Sequence, residues 1–286
     1  MQKSFPLSRL IPFILLLTAC SKHHDTPAPL PSPPVNTPPV NTPQIAKPLL
    51  DSMVWHNLVG PTTTYFAYRP DSLQDKITTV DPFVSDTVRF EYLRRQITHI
   101  TNNRLNRHSD YTYNASGKII VITISGFSGL DGNFRFEYGY DVRGRLNTLA
   151  YYLERGTVKQ LESICAYEYA ANGLLSKISG FTPDGLNITY TIDAYTDECN
   201  FNPWTFVDPI DLSEGFEIYN LPLLQTLTRL PAKITKTVTG GSDGGFTKQL
   251  TATLQGGNLA RAITLTQFPS VPTSNYQIDV ELFYRH

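Results

Sequence analysis

From Phe90 to the C-terminus the chain alternates between apolar and polar positions in short runs. In residues 133–140, Phe134, Phe136, Tyr138 and Tyr140 fall on one side, while Arg135 and Glu137 fall on the other. A period of two is that of a half-buried β-strand. The runs recur with fixed punctuation: a Tyr, three residues, a Gly, then closely spaced apolar residues. Copies stand at Tyr113–Gly117 before Ile119, Tyr140–Gly144 before Leu146, and Tyr169–Gly173 before Leu175, with their glycines 27 and 29 residues apart. Weaker copies are Phe90-Glu-Tyr92 leading to Ile97 and Ile100, and Leu254-Gln-Gly-Gly257 leading to Leu259 and Ile263.

Each copy reads as one hairpin. The Gly supplies the positive φ of a tight turn, and the aromatic residues pack across neighbouring strands. Asp131-Gly132, Asp184-Gly185 and Gly240–Gly245 add further turn signals. No long segment has a helical period. The best short helix is Leu221–Leu230, with Pro222 in its first turn after Asn220. The predicted fold is all-β with little helix: an antiparallel meander of repeated hairpins forming one twisted sheet, open or curled. It occupies residues 49–286.

Composition agrees. Of 286 residues, 41 % are hydrophobic, and Tyr (16) and Phe (15) far outnumber Met (2). This diet suits strands and a packed core. Lys+Arg (24) nearly balance Asp+Glu (25), which excludes a nucleic-acid binder acting through a basic face.

The N-terminus is an address. Lys3 and Arg9 precede a short apolar run, Leu10–Leu17, too short to span a bilayer. Leu17-Thr18-Ala19-Cys20 looks like a bacterial lipobox. Residues 1–19 then form a lipoprotein signal peptide, and Cys20 becomes the lipidated mature N-terminus, a membrane anchor. Residues 20–48 carry that Cys and a Pro-rich tether with a repeated Val-Asn-Thr-Pro, extended in character. The expected location is the cell envelope, at the outer membrane, with either face open.

The Tyr140-Asp-Val-Arg-Gly144-Arg-Leu146 run resembles a YD/RHS-type repeat hairpin. Together with the lipobox, the Pro-rich leader and the Asn220-Leu-Pro to Leu230-Pro-Ala-Lys-Ile segment, it resembles the Bacteroidetes lipoproteins of the DUF4595 type. The resemblance covers about Phe90 to the C-terminus. It implies architecture and no assigned chemistry.

Candidate chemistry is sparse. Cys165 and Cys199 are an even pair in an oxidising compartment; they read either as a disulfide or as two buried thiols. The six His show no metal-ligand spacing. Asp197, Glu198, Asn200 and Asn202 read as a polar loop in preference to a calcium site. Asp208, Asp211, Glu214 and Glu217 cluster as an envelope glycan hydrolase would need, but proximity in sequence does not place two carboxylates across a bond. No catalytic residue, metal or cofactor is assigned. The aromatic loop Phe201-Asn-Pro-Trp204-Thr-Phe206 has two readings. Phe201, Trp204 and Phe206 bind a ligand through flat apolar faces, or they plug one face of the sheet. The function predicted is a binding module for a glycan, peptide or partner protein at the envelope, with a structural scaffold as the alternative.

Overall fold

The computed structural model describes residues 49–57, 60–210, 215–241 and 244–285. The signal peptide, Cys20 and the tether lie outside them, as do Asp211 and Glu214. In chain order the strands are β1 (Leu50–Asn57), β2 (Gly60–Tyr68), β3 (Gln74–Val80), β4 (Ser85–Leu93), β5 (Gln96–Asn102), β6 (Arg107–Tyr113), β7 (Ile119–Ser125) and β8 (Asn133–Tyr140). The second half continues with β9 (Leu146–Arg155), β10 (Val158–Tyr169), β11 (Leu175–Phe181), β12 (Asn187–Tyr195), β13 (Pro231–Thr239), β14 (Phe246–Gln255), β15 (Asn258–Gln267) and β16 (Tyr276–Tyr284). Each pairs antiparallel with its sequence neighbours, and β1 pairs with β16, so the sixteen strands close into a barrel. The expected open or curled sheet is therefore corrected to a closed one. Closure pairs the two strands that would otherwise be edges, and an unpaired edge is what strand addition requires.

The hairpin repeat has a structural cause that strict alternation would not give. Inward residues at the start of the outgoing strands are spaced by three: Ile97 and Ile100, Ile119 and Ile122, Leu146 and Leu149, Leu175 and Ile178. One extra residue sits on the outgoing strand at each turn. Gly139 faces Thr148 but Tyr140 faces Leu146, leaving Asn147 as the bulge. The same shift occurs after Ala67, Glu91, Thr112, Glu168 and Thr253. In the last of these the inward partner of Leu259 is Ala262, while Ile263 pairs outward with Asp279 and Thr251. Repeated bulges increase twist and bend strands, which helps a wide sheet to curl onto itself.

Tyrosines seal the rim at these bulges. Past Val121 and Glu137 the β7–β8 register ends, and the Tyr140 hydroxyl donates to the Ile119 carbonyl (2.6 Å). Tyr169 donates likewise to Leu146 (2.8 Å), Tyr195 to Leu175 (2.5 Å), Tyr284 to Leu259 (2.8 Å) and Tyr68 to Leu50 (2.9 Å). Tyr113 bonds the Ile97 backbone. Cations stack on several of these rings, with Arg145 over Tyr169 at 4.3 Å and Lys118 over Tyr140 at 5.1 Å. The repeat glycines Gly117, Gly144 and Gly173 sit at φ +78°, +76° and +84°, where a side chain would be strained.

The two faces of the wall differ sharply. Inward positions such as Phe66, Ile100, Phe136, Leu149, Ile178 and Tyr190 are buried in one apolar core. Outward positions are mostly threonines and charges, with Tyr65, Ile164, Phe181 and Phe283 exposed among them. Arg135 holds Glu137 at 2.7 Å, Lys159 meets the same carboxylate at 2.7 Å, and Arg261 pairs with Asp279. Among the described residues, no helix is long and apolar enough to cross a membrane. A barrel that crosses with its strands shows lipid an apolar band, and each Lys or Arg at its midplane costs about 2–4 kcal/mol. This wall instead mixes paired charges and threonines with scattered apolar residues.

Burial pushes the hydroxyls of Tyr68, Tyr113, Tyr140 and Tyr169 up to about 12, against about 10 in an unfolded chain. The folded barrel thus keeps protons that the unfolded chain releases between those values. The contribution of these tyrosines to stability is constant below about pH 10 and falls as pH rises from there towards about 12. Urea denaturation is expected to show a clearly lower midpoint at about pH 11 than at about pH 9; equal midpoints would show that the rim tyrosines are not held as described.

Candidate functional site: the plug and the cleft at the barrel mouth

The described parts of the connection between β12 and β13, residues 196–210 and 215–230, pack inside the barrel. Its neck is tied by Thr196 N–H to the Leu230 carbonyl (2.9 Å) and by Leu230 N–H to the Thr196 hydroxyl (3.0 Å). Asn200 then bridges to the β14–β15 turn, donating to Gly257 and accepting from Leu259. A 3₁₀ turn, Pro203–Thr205, is capped by the Asn202 side chain, which accepts from Trp204 N–H (3.0 Å) and donates to the Tyr68 hydroxyl (3.2 Å). Further on, a single helical turn, Leu221–Leu224, is capped by Asn220. The helix expected over Leu221–Leu230 is thus confined to its first turn. The Gln225 N–H still bonds back to Leu221, and the Thr226 hydroxyl takes the Leu223 carbonyl.

Wall and plug are bonded as well as packed. Ser109 of β6 donates to the Pro209 carbonyl (2.9 Å), and Tyr167 of β10 to the Glu217 carbonyl (2.6 Å). Tyr190 of β12 donates to the Glu217 carboxylate (3.0 Å). Phe90 meets Trp204 edge-on at 5.1 Å, and Phe136 meets Phe216 at 5.5 Å. Ile210, Ile218, Leu223 and Leu224 are almost fully buried.

The sequence-predicted residues take these places. Phe201 and Trp204 are buried in the plug. Phe206 is half-buried, stacked on Tyr219 and edge-on to Phe201. Cys165 lies on the inner wall beside Gly180, with its thiol pushed up to about 12 by burial and by the Glu217 charge. Cys199 lies on the plug near Tyr284. Both are buried, and their sulfurs are not bonded to each other. Of the four clustered carboxylates, Glu217 is held inside the core by Tyr190, and Asp208 accepts from Ile210 N–H near the mouth (2.9 Å).

Between plug and wall, at the mouth opposite the tyrosine rim, a cleft of about 610 Å³ remains. Trp55, Trp204 and Phe206 give it aromatic walls, and a smaller cleft of about 250 Å³ continues it past Trp55, Phe206 and Tyr219. A polar cluster stands at its edge. Asp86 accepts from Asn102 (2.7 Å) and Arg104 (3.4 Å). The Thr64 and Thr79 hydroxyls meet at 3.2 Å. Thr205 joins the two clefts; it is 3 % exposed, and its hydroxyl has no hydrogen-bond partner among the described residues. An apolar concavity with a few convergent polar groups is the usual form of a ligand site, and a buried hydroxyl without a partner is a demand that a ligand can meet. Sequence reading singled out Trp204 and Phe206 but missed Asp86, Asn102 and Arg104. These come from separate hairpins and converge only through strand register.

No protein-family model and no curated protein sequence matches the chain. The fold itself has counterparts among solved structures. A porin-like protein from Bacteroides uniformis is similar at 15 % identity and a TM-score of 0.52, covering 82 % of this chain and 98 % of that one. A porin-like protein from Bacteroides vulgatus aligns at 12 % identity and a TM-score of 0.46, covering 83 % and 99 %. At this identity the first likeness is one of fold.

Replacing Thr205 by Val keeps its shape and removes the unmatched hydroxyl. With no ligand present, this is expected to stabilise the chain by about 1 kcal/mol in urea denaturation. A loss of stability would show that the hydroxyl is satisfied in the native protein.

Proposed function

We propose that the chain is a cell-envelope lipoprotein, anchored through Cys20, whose plugged barrel is a binding module and not a pore. The anchor and tether are supported by the lipobox-like Leu17–Cys20 and the Pro-rich stretch that follows. An envelope setting is further supported by the likeness in fold to the Bacteroides uniformis protein, described as porin-like. Conduction is not carried over from that description, because here the lumen is packed with apolar side chains bonded to the wall.

The observation that carries the binding reading is the mouth cleft, with the Thr205 hydroxyl buried and unmatched at its floor. Trp55, Trp204 and Phe206 offer flat faces, while Asp86, Asn102 and Arg104 offer directional contacts. Such a mixture grips a glycan, a short peptide or a loop of a partner protein. Phe201 belongs to the same aromatic loop and supports it from behind. In this reading the plug is the floor of the site, and membrane attachment comes from the lipid, with the charged wall left in water.

The test is a thermal-shift screen of the full chain against envelope glycans and peptides. A ligand at about 100 times its dissociation constant adds about 2.7 kcal/mol, a readable shift. At least one compound is expected to shift the wild type and to lose its effect in Trp55→Ala. A panel with no shift, or a shift unchanged in that variant, would contradict the site.

A further inference from the structure

The tyrosine rim is broken at one place. Where other outgoing strands place Leu50, Ile97, Ile119, Leu146, Leu175 or Leu259 inward at the rim, β3 places Gln74. Its amide nitrogen donates to the Ala67 and Lys76 carbonyls, both at 2.8 Å. Its amide oxygen is buried and has no partner among the described residues, in a residue only 6 % exposed. Tyr92 stands at the repeat position that would seal this junction, as Tyr68 and Tyr140 seal theirs, yet among the described residues its hydroxyl donates to no carbonyl. Arg69 lies over its ring at 5.6 Å instead.

Gln74 and Tyr92 border the same groove, about 430 Å³, between the rim and the plug. It lies at the opposite end of the barrel from the mouth cleft. Its walls include the rings of Tyr68, Tyr92 and Tyr113 and the plug's Pro203, with Gln96 and Gln225 beside them. Arg95 is the one charged side chain among its described lining residues, and it already donates to the Asp71 carbonyl (3.3 Å).

We propose that this groove is a second binding site, for a neutral saccharide. The unmet groups set the class. Gln74 Oε1 needs a donor, and the Tyr92 hydroxyl can give or take a proton. A sugar hydroxyl does both, so adjacent hydroxyls of one ring can answer the pair. The C–H face of the same ring suits the tyrosine faces, which give contact area at small entropic cost. The arginines around it are already engaged, Arg95 by the Asp71 carbonyl, Arg69 by the Asp71 carboxylate and Arg285 by Asp51, which disfavours an anion. An extended peptide is a poorer match, because its alternating N–H and carbonyl groups want a strand edge, and the rim presents turns.

The test is calorimetric titration of the full chain with cellotriose, maltotriose, N-acetylchitotriose and mannotriose, and with trialanine as a peptide control. At least one trisaccharide binds. Gln74→Leu restores the residue type found elsewhere in the repeat, so its thermal midpoint stays at or above that of the wild type while affinity falls about tenfold or more. Tyr92→Phe, which removes only the hydroxyl, also weakens binding. The proposal is overturned if no trisaccharide binds, if trialanine binds in their place, or if affinity survives in both variants. Loss in Trp55→Ala with retention in Gln74→Leu would also overturn it, by moving the sugar to the mouth cleft.

Discussion

Everything in this molecule follows from closing sixteen strands around an apolar face. A barrel of about eight strands can fill its interior with its own side chains, whereas about sixteen enclose a lumen wide enough for water. Here the inward positions are mostly Phe, Tyr, Leu and Ile, and a water-filled lumen would leave them wetted. At about 25 cal/mol per Å² of apolar surface, that exposure is a cost no fold of this size sustains. Residues 196–210 and 215–230 resolve the conflict by entering the lumen and completing the core. The plug is therefore a condition of the barrel.

The same constraint shapes the sites. A plug drawn from one irregular connection cannot match a regular wall everywhere. The mismatch collects at the two ends, as the mouth cleft beside Trp55 and Thr205 and the rim groove beside Gln74 and Tyr92. Both hold a buried polar atom without a hydrogen-bond partner among the described residues. The stable interior and the binding surfaces are thus consequences of one packing problem.

Much of the wall was legible in the sequence. The alternation at Phe134–Tyr140 predicted the strand and its faces, and the Tyr-to-Gly spacing predicted the hairpins. The three-residue spacing of Leu146 and Leu149 also held the bulge, a signal that strict alternation obscures. The interval of six residues from Tyr68 to Gln74, from Tyr113 to Ile119 and from Tyr140 to Leu146 would have marked Gln74 as the exception. Closure was not legible, because no residue in β1 or β16 states that they pair. The aromatic loop was read as ligand contact or as a plug over an open sheet. The structure puts Phe201 and Trp204 inside a closed lumen, a placement that only the number of strands decides.

The filled lumen is most directly tested by the reactivity of two natural probes, Cys165 on the wall and Cys199 on the plug. In a Cys20→Ser variant, native protein treated with a maleimide and no reductant is predicted to stay unlabelled at both. It should take up label at both once denatured. Rapid labelling of Cys165 in protein that keeps its strand content would mean an open lumen, and would contradict the account.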